Sequence, residues 1–294
     1  MIYPFRNKFD KLFSDLKESS IEIIQNNCEN GFYGVRKTDD YVDIVYYRHQ
    51  TEKNFIYSEN YKEITTLIPS EMMVEWVDET TKHELQGVIN LFNFFEALFI
   101  GSYQDVLDGK KSGTGKLLFT DEPTPFINYG AKSWGKVPEE NKPYWDKGRY
   151  FHADSQAGLF TVIIQEVNHE KKHLEFDFDD LYLLYEDGTN FHTYSLVLKL
   201  DEYMDMLLLT KGCTYWQLLF IEKPSENLGQ YEIKYILKML LGLPELFSEE
   251  NYSPLFMQFE KELVQATANS IKNSDVEKIA PLLEEYYKVR KRYL

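Results

Sequence analysis

At 294 residues the chain can bury a large core and sits near the size at which a split into two lobes begins. Hydrophobic residues make up 43%, with 22 Tyr, 20 Phe and 4 Trp, which excludes an intrinsically disordered chain. Asp and Glu number 48 against 32 Lys and Arg, and a net charge of -16 repels nucleic acid and anionic lipid.

A field of that sign favours a basic protein partner, or simply solubility. Cys28 and Cys213 are the only cysteines and have no CxxC spacing. They make neither a disulfide framework nor a thiolate zinc site, and two free thiols in a reducing compartment is simpler than one bridge. The opening residues, MIYPFRNKFDKLF, lack the apolar stretch of a signal peptide. The most apolar window, Val88–Gly101, is too short to span a bilayer and carries Asn93 and Glu96. A cytoplasmic protein with no membrane partner is the expectation.

In chain order, Phe5 to about Asn26 reads as an amphipathic helix through Phe9, Leu12, Phe13, Leu16, Ile21, Ile23 and Ile24. FYGVRKT and YVDIVYYRH read as strands joined at Asp39-Asp40, and NFIYS and YKEITTLI extend that meander. Ser70 caps a helix beginning at Glu71, and Met72–Tyr103 reads as helix-rich. DGKKSGTG, 108–115, is the main breaker cluster. It divides an N-terminal α+β lobe, 1–112, from a second region, 113–294, unless the two are one continuous domain.

KLLFT is the next expected strand, followed by a long loop rich in Pro, Gly and aromatics that carries Trp134 and Trp145. LFTVIIQEV, HLEFDF and LYLLYE then read as strands, with a tight turn at Asp187-Gly188 leading into TNFHTYSLVLKL. LDEYMDMLLLTKG reads as a helix stopped at Gly212. Helices over 231–241, 255–272 and 275–292 complete the chain. No repeat or low-complexity tract is present. The fold class is α+β: an antiparallel meandering sheet flanked by helices, with a helical C-terminal tail.

Few residues point to chemistry. Asn168–His173 spells H-E-x-x-H, the pattern in which a helix presents two imidazoles to zinc beside a glutamate. Here it falls between two strand-like runs, so a solvated hairpin connection is expected. A zinc-dependent hydrolase using His169, Glu170 and His173 is the alternative. Gly109–Lys116 imitates a phosphate loop, but Lys110 stands where Gly is needed and Leu117 replaces the magnesium-binding hydroxyl. No Gly-x-Ser-x-Gly is present, so no catalytic residue, metal site or cofactor is expected.

The one pattern with a physical argument is HLEFDFDD. Alternation on a strand sets Leu174, Phe176 and Phe178 on one face and Glu175, Asp177 and Asp179 on the other, about 6.6–6.8 Å apart. With Asp180 these form an acidic ridge. Trp134 and Trp145 are candidate aromatic anchors beside it, as interfaces favour such residues, whereas Trp216 reads as core.

From Gly148 the order of elements, RYFHADSQAGLFTVIIQ, the acidic strand, LYLLYEDGTNFHTYS and then LVLKLDEYMDMLLLTKGCTYWQ, resembles the SUKH superfamily. Its members include bacterial toxin-immunity proteins and fungal cell-wall regulators. Ser195–Met206 is similar to the start of that family's closing helix, and the resemblance covers about residues 115–222. It implies a non-enzymatic binding protein, with a basic, nuclease-type toxin as partner and no nucleic acid. A scaffold or adaptor without a toxin target is the third possibility.

Overall fold

The computed structural model describes residues 11, 12, 15, 16, 22–24, 35–37, 42–44, 73–78, 81–90, 137–154, 157–168, 173–187, 190–265, 267, 268 and 279–294. Nine strands are described: β1 (Glu22–Ile24), β2 (Val35–Lys37), β3 (Val42–Ile44), β4 (Met73–Val77), β5 (Gln86–Asn90), β6 (Gly148–Asp154), β7 (Leu159–Asn168), β8 (His173–Asp187) and β9 (Asn190–Ser195). The helices are α1 (Lys142–Lys147), α2 (Leu200–Leu209), α3 (Pro224–Asn227), α4 (Gln230–Leu246), α5 (Ser253–Glu262) and α6 (Ala280–Val289), with a 3-10 helix at Trp216–Phe220. Helices plus antiparallel sheets give the α+β class.

The central element is the antiparallel meander β6-β7-β8-β9. Period-two alternation gives it two apolar faces. Leu159, Ile163, Leu181, Leu183 and Tyr185 face a core built with Leu200, Tyr203, Met204 and Leu207 of α2, Trp216 of the 3-10 helix, and α4, α5 and α6. On the other face Val162, Leu184 and Phe191 pack with Phe160 and Tyr182 beneath Val137 and Tyr144. The exposed edge strand β9 is closed off at both ends. Asn141 Nδ2 donates to Phe191 O at 2.8 Å, and Glu222 N donates to Ser195 O at 2.9 Å.

Two expected helices are corrected. Lys11, Leu12, Asp15 and Leu16 are helical, but Glu22–Ile24 is β1 and pairs antiparallel with β4. Met73–Val77 and Gln86–Asn90 are the paired strands β4 and β5 rather than helix. Val74, Trp76, Val77, Val88 and Ile89 are β-branched or aromatic, and Asp78 N donates to Leu85 O at 2.8 Å where the two runs are joined. There the buried Asp78 carboxylate accepts from Thr81 N at 3.1 Å and from the Thr81 hydroxyl. Gly87 lies against the Trp76 indole, with no room for a side chain. Trp76 is fully buried and donates from Nε1 to Lys211 O at 2.6 Å. The outer side of β5 pairs with residues 212–214, through Val88 N to Gly212 O at 3.1 Å and Thr214 N to Gln86 O at 2.9 Å.

Other expectations hold. β2 and β3 pair antiparallel, and Asp187 pairs with Asn190 across the tight turn. α2 ends before Gly212, but the left-handed position after its cap is Lys211, φ 54°, with Gly212, φ 67°, following. Gly212 N donates to Leu207 O and Lys211 N to Leu208 O, which satisfies the last carbonyls of the helix. NFIYS, YKEITTLI, DGKKSGTG, KLLFT and Cys28 lie outside the described residues. Cys213 is a buried free thiol, and burial pushes its pKa up.

Candidate partner-binding surface

The acidic stretch 174–180 is extended, as its alternation requires, and belongs to one continuous strand of 15 residues. Its register departs from a regular ridge. Ile163 faces Leu181, but the next β7 residue, Ile164, faces Asp177. Phe178, Asp179 and Asp180 therefore have no counterpart in β7 and form a three-residue bulge. Evenly spaced Glu175, Asp177 and Asp179 are replaced by two groups. Glu175 and Asp177 lie in the paired part, opposite Glu166 and Ile164, and Asp179 and Asp180 are carried on the bulge.

The bulge brings its acids to α2. Both Asp179 and Asp180 are exposed. Lys199, immediately before α2, donates from Nζ to Asp179 Oδ1 at 3.0 Å. The Asp179 carboxylate holds the Lys199 ammonium above its ordinary pKa, with Glu202 and Asp180 adding to the field. Leu200, Tyr203, Met204 and Leu207 are buried, which turns Asp201, Glu202 and Asp205 outward on the opposite side of the helix. Glu202 also accepts from Lys199 N at 3.0 Å and so caps the first turn. Val197, 52% exposed, adds an apolar group two residues before Lys199. This surface is anionic and is carried on a strand and a helix.

Sequence reasoning named Asp179 and Asp180 but missed Asp201, Glu202 and Asp205. The signal was available: acids at 201, 202 and 205 fall on one side of a helix whose apolar residues sit at 200, 203, 204 and 207. Trp134 lies outside the described residues, and Trp145 is in α1, which covers the outer face of the sheet. Trp216 is fully buried, as core. Among the described residues, Tyr231 of α4 is an exposed aromatic residue, and it packs on the half-buried Tyr235 and the buried Tyr215. Tyr231 and Tyr235 have ring centroids 4.7 Å apart, Tyr215 and Tyr235 5.0 Å, and Tyr231 is 54% exposed.

The H-E-x-x-H pattern does not sit on a helix at its described positions. Asn168 ends β7, His173 opens β8, and the two are partners in the ladder. His169 and Glu170 lie outside the described residues. Among the described residues no group of three His, Cys, Asp or Glu is arranged to hold a metal ion, and no helix is long and apolar enough to cross a membrane.

A second polar group is internal. His152 on β6 is 1% exposed; its Nδ1 lies 2.6 Å from Tyr203 Oη, and its Nε2 3.3 Å from Val88 O. Val88 O can only accept, so Nε2 carries the proton and Nδ1 accepts from Tyr203. Tyr203 Oη in turn lies 2.7 Å from Thr161 Oγ1. Burial lowers the His152 pKa to about 4, and the bond to Val88 O opposes this weakly. This network joins β6, β7, α2 and β5 and is closed to solvent, so it serves packing rather than recognition.

No protein-family model, curated protein or solved structure matches the chain.

Proposed function

We propose that the chain is a cytoplasmic, non-enzymatic binding protein whose acidic face sequesters a basic protein partner, of the kind a nuclease toxin presents. One observation carries this reading. The bulge of β8 and the outer side of α2 carry Asp179, Asp180, Asp201, Glu202 and Asp205, with Lys199 held by Asp179 between them. Nucleases hold phosphates in basic clefts, and fixed carboxylates can take the place of those phosphates. The net charge of -16 adds long-range steering, and the exposed Val197 adds a contact that excludes water. The resemblance of residues 115–222 to the SUKH superfamily supports the same assignment.

The test is capture of cationic nuclease domains, with inhibition of their activity as a second readout. The wild-type chain binds and inhibits at least one of them at low salt. The variant D179N/D180N/D201N/E202Q/D205N binds at least tenfold more weakly while keeping the folded circular-dichroism spectrum of the wild type. If the wild type retains no cationic nuclease, or the variant binds as well as the wild type, the proposal fails.

A further inference from the structure

Lys211 has a side chain only 3% exposed, in a left-handed backbone position that lysine rarely takes. Its Nζ lies 2.9 Å from Glu250 Oε1 and 3.3 Å from Asp15 Oδ2. Lys11 Nζ contacts the same two carboxylates, at 2.7 Å and 3.0 Å. The four side chains form a closed ring of alternating charge, Lys11–Asp15–Lys211–Glu250. Two members come from the N-terminal helical residues and two from the body of the protein.

We propose that the helical residues Lys11, Leu12, Asp15 and Leu16 are a detachable strap, which this ring clasps over Lys211. The partition of charge is the reason. Lys11 and Asp15 stand four apart on a helix and remain a pair when they leave. Lys211 and Glu250 remain a pair behind them. A single ion pair across this boundary would strand one buried charge on opening, which is strongly unfavourable. The ring divides into two neutral halves, so opening strands none. Leu12, 2% exposed, and Leu16, 1% exposed, supply the apolar contact that holds the strap closed. The strap precedes β1, which stays anchored by its pairing with β4. Phe247 lies 5.3 Å from Lys211 Nζ, so release uncovers the Lys211–Glu250 pair beside an aromatic ring.

Amide hydrogen exchange on the full chain tests this. The Leu16 amide exchanges at least a hundredfold faster than those of Leu237 and Leu240 in α4, through an opening that withdraws Leu12 and Leu16 from the core and leaves α4 folded. The swap K11D/D15K keeps a pair inside the strap but sets Asp against Glu250 and Lys against Lys211. It speeds Leu16 exchange at least tenfold more and leaves α4 unchanged. The milder Asp15→Asn moves Leu16 in the same direction by a smaller factor. Exchange of Leu16 at the α4 rate in the wild type would overturn the proposal. So would variants that accelerate both segments alike, or neither.

Discussion

Replacing Gly212 with alanine lowers the stability of the folded chain by about 3 kcal/mol. Two effects add. The left-handed conformation costs an L-residue roughly 1–2 kcal/mol. The new Cβ also meets Val88 O at 2.6 Å and Ile89 Cγ1 at 2.7 Å, and one of these is backbone that cannot turn aside. Crowding of that kind adds about 1–3 kcal/mol. The damage centres on the junction where Gly212 O accepts from Val88 N, so the β5 edge loosens together with the end of α2. Denaturant titration reads the effect as a lower midpoint with an unchanged slope. A loss below about 1 kcal/mol would show that β5 and the 212–214 turn are not packed as described.

Acidification gives the second large effect. His152 is buried and neutral, with Nδ1 already accepting from Tyr203, so a proton placed there would face another donor. Its pKa is held at about 4 in the folded chain, against 6.5 for an unperturbed histidine. The unfolded chain therefore binds a proton in this interval that the folded chain refuses. The contribution is fully present above pH 6.5 and is lost as pH falls towards 4. The loss amounts to about 3 kcal/mol. His152→Gln removes the titration. Between pH 7 and pH 4 the wild type should lose about 3 kcal/mol more than this variant, measured by denaturant titration at each pH. Parallel pH profiles would mean that His152 is solvated or charged in the fold.

The β6–β9 meander and the helices after it were legible because one element at a time buries one face. Leu159, Ile163, Leu181 and Leu183 keep period two, and Leu200, Tyr203, Met204 and Leu207 keep the helical period. The bulge also left a trace, because alternation in HLEFDFDDLYLLYE fails at Asp179-Asp180, where two acids follow one another. β4 and β5 were not legible. The apolar residues of β5 run on into LFNFFEALFI, and the polar stretch 78–84 after β4 has neither Gly nor Pro to announce a turn. Trp76 settles that segment by packing against Gly87 and bonding to Lys211 O, a partner 135 positions away. The charge ring was equally hidden, since Asp15 and Lys211 stand 196 positions apart and nothing local marks either. The acidic face lies between these cases. Its α2 half follows from spacing, but only the bulge and Lys199 bring that half to Asp179.

The most direct measurement is the association rate constant with a captured cationic nuclease, followed from about 10 mM to 200 mM salt, a range over which the Debye length falls from ~30 Å to under 10 Å. An anionic docking face predicts a steep fall for the wild type, and a shallower line with slower low-salt association for D179N/D180N/D201N/E202Q/D205N. Superimposable lines for the two proteins would contradict it, because the partner would then be reading some other part of the molecule.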